Sequence, residues 1–576
     1  MEKYKNSPYG PDEVPKAAPT LCRLGEIHLK KGNFEKANIR FLQAIEQNSN
    51  CATAYHGMGI ILQHEKKFSR AIACYQKAKE LEPFALKHLV KIGLAYREIG
   101  RLKEAVNFLQ KAISINKGVG SVYFLLGQVY YDLSRFTDAV SCFQKTIELN
   151  PVHMGAYVGL ADCYMVFRQP TRVMEVYYKA LKLDPESAIV LNNLGAAFME
   201  TGEVETAIRY FKQSIHFDPH LAEAYINIGS LYRDNGEMKK SIRFLERAIQ
   251  LNPEAAEAHY NLSLSYLYIY DFPKGWEEYE WRFRTPLLDL QNHLLADESY
   301  WDGGPLNGRT ILIRDEQGVG DTLQFIRFLP LVKRLGGIVL FETEKPLSGL
   351  LTHFNGIDRF IDRRKEELSE IHFDCYIPLM SLPRILQAGI EYKHNTVPYL
   401  YADPQGVRKW AKRISAEPGI RIGINWQGNP DYVSDKSRSI PFHHFHSLCR
   451  MKGISVFSLQ KYYGLEQLEN LPPHVRIINM GPDLDEECRA FVDTAAVIES
   501  LDLIITSDSA ISHLAGSLGK KVWLLLPFVP DWRWGISGEN THWYPNMRLF
   551  RQISPGDWSE LFSRVANALT EFVSSR

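Results

Sequence analysis

The sequence lacks a net charge, because its 67 Lys and Arg residues equal its 67 Asp and Glu residues. No global field therefore favours nucleic acid or an anionic membrane surface, and binding is expected at local sites. Runs of about 18 apolar residues are also missing, so no segment is expected to span a bilayer. We expect a globular chain of several domains, since 576 residues exceed one ordinary core.

Paired cysteines are absent as well. The eight cysteines are scattered without a Cys-x-x-Cys pair, which argues against structural zinc, redox chemistry and a disulfide framework. The first residues, MEKYKNSPYGPDEVPKAAP, carry charges and prolines where a signal peptide needs an apolar stretch. We therefore expect a cytoplasmic protein with a flexible N-terminus over residues 1–17.

What is present in the first half is a repeat. Prolines at positions 83, 151, 185, 219 and 253 are separated by 34 or 68 residues. Small residues recur at the same step, at Gly25, Gly59, Gly93, Gly127, Ala161, Gly195, Gly229 and Ser263. Small residues let paired helices approach closely, and proline ends a helix. The period predicts two helices per repeat.

This pattern resembles the tetratricopeptide repeat, in eight copies over residues 18–289. The resemblance implies an α-helical solenoid whose concave groove binds a peptide or protein. The alternative is a rigid spacer or an oligomerisation arm. The eighth copy departs from the pattern at WEEYEWRFR, residues 276–284, which we expect to cap the solenoid or to dock on the next domain.

The second half alternates predicted strands with helices. RTILIRD is followed by the glycine loop EQGVGD and a helix over TLQFIRFLPLVKRL. Further helices are predicted over residues 346–354 and after Met380. A second series begins after residues 397–404, with strands at GIRIGINW, ISVFSL, VRIIN, LDLIIT and KVWLLL. This order predicts an α/β fold of two doubly wound parallel sheets, with ligands at the carboxyl ends of the strands.

The stretch SDSAISHLAG, residues 507–516, lies between two of these strands. A helix is predicted to start near Ser509, and its free N–H groups and dipole form an anion site. Asp508 could accept hydrogen bonds from sugar hydroxyls, and His513 lies one turn further on. Alternatively, Ser509 is a helix cap, Asp508 a turn residue and His513 a surface histidine.

Several motifs in order are similar to family 9 glycosyltransferases, the heptosyltransferase-like group of the GT-B fold. They are EQGVGDTLQFIRFLP, GINWQGNPDYVSDKSRSIP, DTAAVIESLDLIITSDSAISHLAGSLGKKVWLLLP, DWRWG and WYPNMRLFRQ. The resemblance implies two Rossmann-like domains facing a cleft: an acceptor domain over residues 300–400 and a nucleotide-sugar donor domain over 404–576.

The resemblance also implies the site. Asp321 falls on the general base, Arg438 on the cation for the donor diphosphate, and Asp508, Ser509 and His513 on the donor helix. The remaining expected donor-binding residues are Gln317, Gly320, Trp426, Gln427, Lys436, Ala510 and Trp532. Ser509-Ala510-Ile511-Ser512 departs from the family's Thr, small residue and Ala, which leaves the shape of the sugar pocket open.

Three of these motifs have other interpretations. Asp321 could be a helix cap after Gly320. DWRWG could stack a base or sugar, or form a packed loop. FHHFHSLC, residues 442–449, could suggest a metal site, but adjacent histidines on an amphipathic helix point to different faces, and no metal is expected.

These observations predict a glycosyltransferase that moves a sugar from a nucleotide-sugar donor to a side-chain hydroxyl of a protein held by the repeats, flagellin-like by analogy. From the family, the reaction is expected to be metal-independent and inverting, without a cofactor. The alternatives are a glycan or lipid-linked acceptor, and a repeat scaffold with an inactive GT-B domain. The sequence leaves the oligomeric state open.

Overall fold

The computed structural model describes residues 17–285, 299–344, 346–352, 354–387, 397–431, 435–486 and 490–575. The expected flexible N-terminus, apart from residue 17, and the end of the expected eighth repeat lie outside these ranges. The chain divides into two units, the first ending at Ala224 and the second beginning at Tyr225. None of the helices in the described ranges combines the length and hydropathy that a bilayer crossing needs.

Sixteen helices in eight antiparallel pairs make up the described part of the first half, which confirms the predicted repeat architecture. They are α1 Ala18–Lys30, α2 Phe34–Gln47, α3 Ala52–His64, α4 Phe68–Leu81, α5 Leu86–Glu98, α6 Leu102–Ile115, α7 Gly120–Asp132, α8 Phe136–Leu149, α9 Met154–Val166, α10 Pro170–Leu183, α11 Ala188–Glu200, α12 Val204–Phe217, α13 Ala222–Asp234, α14 Met238–Leu251, α15 Ala256–Tyr268 and α16 Phe272–Tyr279. The boundary between the two units falls inside α13.

Close helix contacts explain Gly25 of the small-residue column and also Gly57, which lies outside it. Phe41 of α2 is fully buried, and its ring lies against the backbone of α1 and α3. A Cβ on Gly25 would lie 2.5 Å from this ring, and one on Gly57 only 2.3 Å from it. Glycine is therefore required at these crossings, because any side chain would overlap the phenylalanine.

The last pair differs from the others, as its sequence predicts. Helix α16 has only eight residues and continues as a 3₁₀ turn over Glu280–Arg284. Trp276 and Tyr279 of α16 are buried, and they share one hydrophobic core with the α/β part of the second unit. The aromatic final helix thus docks on the following domain.

The α/β part contains ten strands in its described residues: β1 Thr310–Arg314, β2 Ile338–Thr343, β3 Arg359–Asp362, β4 Cys375–Pro378, β5 Ile420–Asn425, β6 Ile454–Ser458, β7 Ile478–Asn479, β8 Leu503–Ser507, β9 Val522–Leu526 and β10 Met547–Arg551. The helices are α17 Val319–Phe325, α18 Leu329–Arg334, α19 Leu382–Ile385, α20 Pro404–Ile414, α21 Asp435–Arg438, α22 His446–Cys449, α23 Val492–Glu499, α24 Ala510–Ser517 and α25 Trp558–Ser574.

All of the named strands pair in parallel, in two sheets. The first sheet has the order β3-β2-β1-β4, and the second has the order β10-β9-β8-β5-β6-β7. In the second sheet, β8 and β9 are buried throughout, because helices cover both faces of a parallel sheet. The strand order reverses between β5 and β8, which is where such sheets open a crevice for ligands.

Four local predictions were wrong in extent. The described residues between 346 and 352 form turns, in a segment with Ser348 and Gly349, both weak helix formers. The helix after Met380 is confined to α19. The strand expected over VRIIN is only β7, since its first residue closes a turn in which the Val475 amide donates to the Pro472 carbonyl over 2.8 Å. FHHFHSLC forms a 3₁₀ turn, Phe442–Phe445, before α22.

Candidate functional site

The polar cluster at the reversal point begins with Asn425, the last residue of β5. Its amide Nδ2 donates to Gln460 Oε1 over 2.8 Å, and its Oδ1 accepts from Ser509 Oγ over 2.8 Å and from Thr506 Oγ1 over 3.3 Å. These side chains are buried. The network fixes the end of β8 and the start of α24 beside β5.

Helix α24 presents its N-terminus at this edge. Ser509 occupies the N-cap position in an extended conformation, with φ −148°, but its side chain makes no capping hydrogen bond and donates to Asn425 instead. The amides of Ala510 and Ile511 have no acceptor among the described residues. Two free N–H groups and the positive end of the helix dipole suit a negatively charged ligand.

Asp508 precedes this helix and is only 7% exposed. Burial and the neighbouring Asp531 carboxylate raise the pKa of Asp508 to about 6, against the opposing influence of Arg438. The structure therefore brings Arg438 and Asp508 together, although 70 residues separate them in the sequence. Arg438 itself donates from Nε to Asp435 Oδ1 over 3.2 Å, whereas Lys436 is exposed.

His513 is buried on the next turn of α24, which overturns the alternative of a surface histidine. Its Nδ1 lies 3.0 Å from Tyr544 Oη, and its ring stacks on Trp534 with a centroid distance of 5.4 Å. Burial, followed by the charges of three arginines, Arg533, Arg327 and Arg438, holds the pKa of His513 well below its usual value. The imidazole is therefore neutral and can donate or accept a hydrogen bond.

The glycine loop approaches α24 from the other sheet. A Cβ on Gly320 would lie 2.9 Å from His513 Cδ2 and 3.7 Å from Ala510 Cα. Only glycine permits this approach without displacement of the histidine. The loop after β1 and the loop after β8 therefore meet, and the N-termini of α17 and α24 lie side by side.

Asp321 is the third residue of α17, and both of its carboxylate oxygens are engaged. Oδ2 accepts from the Gly318 amide over 2.7 Å, and Oδ1 is paired with the Arg533 guanidinium. Gly318, not Asp321, occupies the cap position. The Asp321 side chain keeps 18% of its surface exposed, so a ligand can still reach it.

Arg533 lies in the loop after β9 and connects it to the glycine loop, a role that the sequence motifs did not indicate. Its Nη1 donates to Asp531 Oδ1 over 2.8 Å, its Nε to Gln324 Oε1 over 2.7 Å, and its Nη2 to Asp321. The side chain is only 7% exposed. A charged residue between the tryptophans of DWRWG was the available signal, since buried arginines need carboxylate partners.

Two side chains of the last repeat hydrogen-bond to the glycine loop. Gln317 has a φ of 56°, unusual for a residue with a side chain, and its Nε2 donates to Tyr279 Oη over 2.6 Å. The adjacent Glu316 receives two hydrogen bonds of 2.9 Å from the fully buried Arg282. The loop conformation therefore depends on two residues of the repeat region.

Three other expected donor residues have structural contacts that occupy their side chains. Trp426 is fully buried against Phe442 and Phe445, and Trp532 is 4% exposed and packs on tryptophans of the core. Neither ring offers a free face to a ligand, because each fills a hydrophobic core. Gln427 accepts from Gln467 Nε2 over 3.2 Å, so its side chain supports the loop after β5.

No three His, Cys, Asp or Glu side chains in the described part of the chain converge in a way that could hold a metal ion. This includes the three histidines and Cys449 of FHHFHSLC. Their helical turn directs His444 onto Phe562, with 5.6 Å between ring centroids, and buries Cys449.

Comparison with known families identifies the first half of the chain. Tetratricopeptide-repeat families match residues 18–51, 50–118, 124–172, 174–222 and 229–267. The N-terminal half is therefore a tetratricopeptide-repeat solenoid, followed by an α/β region with parallel sheets.

Curated relatives match parts of the chain at low identity. The chain is 26% identical to protein FlbA of Caulobacter vibrioides over 52% of its own length and 53% of that protein. It is 32% identical to the probable UDP-N-acetylglucosamine–peptide N-acetylglucosaminyltransferase SPINDLY of Arabidopsis thaliana, over 16% of the chain and 10% of that protein. It is 28% identical to human protein O-mannosyl-transferase TMTC3, over 14% and 9%. The match thus spans about half of FlbA and small parts of the other two.

Solved structures match parts of the chain at low similarity. A tetratricopeptide repeat protein from Parabacteroides merdae aligns with a TM-score of 0.38 and 16% identity, over 44% of this chain and 99% of that one. The Cut9–Hcn1 complex aligns with a TM-score of 0.34 and 15% identity, over 47% and 54%.

Proposed function

We propose that the chain is a glycosyltransferase with a GT-B catalytic half, and that it moves a sugar from a nucleotide-sugar donor to a hydroxyl of a protein acceptor. The observation that carries this proposal is the meeting of two helix N-termini from two parallel sheets, with Asp321 on one and Asp508 beside the other. The peptide and protein glycosyltransferases among the relatives support the combination with repeats, although their matched segments are short.

In the proposed reaction, the donor diphosphate lies at the N-terminus of α24. The free amides of Ala510 and Ile511, together with Arg438 and Lys436, receive the negative charge that develops on the leaving group. This arrangement assigns the charge stabilisation to the helix and to cationic side chains. Asp508 binds a sugar hydroxyl and thereby orients the anomeric carbon.

Asp321 is the proposed general base. The acceptor oxygen bonds to the anomeric carbon while the bond from that carbon to the diphosphate oxygen breaks, and the acceptor proton passes to the Asp321 carboxylate. Attack on the face opposite the leaving group inverts the anomeric centre. Arg533 and the Gly318 amide hold the carboxylate in position, and each of its oxygens retains a lone pair for the acceptor.

A second function, a repeat scaffold with an inactive α/β half, is favoured by one observation. Both oxygens of Asp321 already accept hydrogen bonds in the structure. In this alternative, Arg533 and the Gly318 amide are the permanent partners of the carboxylate, and the half binds a donor without transferring its sugar.

The test is a thermal-shift screen of nucleotide sugars on three proteins: the wild type, the Arg438→Ala/Ser509→Ala variant and a control, Arg413→Ala/Ser447→Ala. The control removes the same two residue types from the surface of the same domain. A donor at 100 times its Kd adds about 2.7 kcal/mol to the free energy of unfolding. We expect a donor that stabilises the wild type and the control but not the site variant.

Sugar transfer is then measured with that donor. Transfer by the wild type, lost in Asp321→Asn, supports the enzyme. Donor binding without turnover of any donor supports the scaffold, and a broad panel without a stabilising donor contradicts both uses of the site.

A further inference from the structure

The first unit contains a cleft of about 410 Å³ that the proposed chemistry does not use. It is lined by the first helices of four successive pairs, α5, α7, α9 and α11. First helices of successive pairs form one continuous face in a helical solenoid, where extended partners bind. The cleft is therefore a candidate for a segment of another polypeptide.

The walls of the cleft are largely apolar. Phe124 of α7 packs against Phe143 and against the His153 ring, with centroid distances of 5.9 and 4.5 Å. On α9, a Cβ on Gly159 would lie 2.6 Å from the Phe143 ring, so glycine lets Phe143 pack closely against α9 at the floor of the cleft. Ile189 of α11 lines the cleft and is 55% exposed.

The charges of the cleft do not balance. Arg97 donates from Nε to Asp132 Oδ2 over 2.5 Å, which neutralises this pair. Asp162 also lines the cleft, but its carboxylate has no hydrogen bond or ion pair to any residue that the structure describes. Burial raises the pKa of Asp162 to about 6, so the group still carries a negative charge at neutral pH. Asp162 is half-buried, and a half-buried carboxylate without a partner is unfavourable because it has lost part of its hydration without gaining a hydrogen bond.

We propose that this cleft binds a peptide segment through one basic side chain, lysine or arginine, whose cationic head pairs with Asp162. The long methylene stem of either residue suits the apolar wall formed by Phe124 and Phe143. A charge-assisted hydrogen bond to Asp162 supplies the missing partner. This assignment deepens the proposed function. It rests on that function only where it makes the peptide part of the acceptor. Peptide binding itself is independent of sugar transfer.

The dependence on pH follows from the groups around Asp162. Burial and nearby acidic groups raise the pKa of Tyr131 on α7. Burial and the Asp162 charge raise the pKa of Tyr177 on α10, and that of Cys163 on α9 to about 11. All three side chains stay neutral near pH 7. Arg97 and Asp132 pair with each other, so their charges cancel. Binding of a basic peptide is therefore expected to strengthen as the pH rises through about 6.

The experiment uses the full chain without donor on an array of nonapeptides whose central position carries each of the twenty residues within randomised flanks. We compare the wild type with Asp162→Asn, which keeps the shape of the side chain. The control is Asp138→Asn, an exposed aspartate on α8 that pairs with Arg135. Circular dichroism spectra verify that all three proteins fold.

We expect the wild type and Asp138→Asn to retain peptides with central lysine or arginine about 10-fold more than peptides with central methionine, which is linear but uncharged. Asp162→Asn is expected to lose this preference. The charge-reversed Asp162→Lys should favour acidic peptides instead. No preference for basic residues in the wild type, or the same preference in Asp162→Asn, overturns the proposal.

The two proposals fail separately. Peptide binding is measured without a nucleotide sugar, and donor binding is measured without a peptide on the Arg438→Ala/Ser509→Ala variant. A chain that selects basic peptides but binds no donor contradicts only the proposed transferase. A chain that binds a donor without this selection contradicts only the basic-peptide cleft.

Discussion

Asp321 and its partners show how single residues carry the proposed chemistry. Arg533 holds the Asp321 carboxylate from the loop after β9, so the position of the carboxylate is fixed before any acceptor binds. Asp321→Asn keeps the volume of the side chain and one oxygen but removes the base. We expect the rate of sugar transfer to fall by about 10² to 10⁴, with donor affinity changed by less than about threefold. Single-turnover kinetics and calorimetry separate the two effects.

The control for this change is Asp302→Asn, an exposed aspartate that accepts from the Gly304 amide. A drop in donor affinity as large as the drop in rate would contradict the role of Asp321 as base, as would a variant with unchanged transfer.

Asp162 leads to a prediction about stability and pH. Burial raises its pKa from the ordinary 3.8 to about 6, so the protonated carboxyl favours the folded state, and this contribution is lost as the pH rises through 6. Asp162→Asn does not titrate. Relative to the wild type, its free energy of unfolding should therefore rise by about 1 to 3 kcal/mol between pH 4 and pH 7. Thermal denaturation across this range measures the difference, and a difference independent of pH would refute the burial of an unpaired carboxylate.

The helix pairs of the repeats depend on close approach at glycine. We expect Gly57→Ala to lower the free energy of unfolding of the first unit by about 1 to 3 kcal/mol, because the new Cβ would lie 2.3 Å from the Phe41 ring. The higher helix propensity of alanine opposes this loss by about 1 kcal/mol at most.

The matched test is the double variant Phe41→Leu/Gly57→Ala. The smaller leucine should remove part of the overlap, so the double variant is expected to be more stable than the sum of the two single changes. Strict additivity in a double-mutant cycle would show that α2 and α3 do not meet at these residues.

The elements of the site are positioned by short contacts between loops. The sequence predicts β1, the glycine loop and α17, and it predicts β8 followed by α24, because both have the apolar pattern and the turn residues of parallel sheets. It misplaces the strand at VRIIN and the helix over residues 346–354, since prolines, serine and glycine outweigh the apolar pattern there.

At the scale of the whole molecule, the last repeat and the α/β half form one folding unit. Arg282 is fully buried and bonds to Glu316 through two nitrogens. Arg282→Ala leaves the Glu316 carboxylate buried without its partner, and we expect a loss of about 3 to 5 kcal/mol in the unfolding free energy of the second unit. Donor affinity should fall as well, because Gln317 and Gly320 follow Glu316 in the loop.

The control is the double variant Arg282→Met/Glu316→Gln, which removes both charges and should be more stable than Arg282→Ala. A chain of residues 220–576 should fold and bind the same donor as the full chain, whereas residues 299–576 alone should melt at a lower temperature or fail to fold. Equal melting of the two shortened chains would contradict the shared core of Trp276, Tyr279 and the α/β half.

The sequence by itself determined the periodic features of this protein. A period of 34 residues gave the helix pairs, and buried apolar runs separated by glycine and polar loops gave the parallel sheets, because both patterns follow from local geometry. The family resemblance pointed to Asp321, Arg438, Asp508, Ser509 and His513 as one site, whose function stays a prediction.

Only the tertiary structure decided which side chains meet and which side chains are buried in hydrophobic cores. It joined Arg533 to Asp321, brought Gly320 onto His513, tied the glycine loop to Tyr279 and Arg282, and left Asp162 without a partner in its cleft. It also buried Trp426 and Trp532, which motif position alone had assigned to the donor. These contacts link residues far apart in the chain, and no local pattern records them, because they depend on how loops from separate elements pack together.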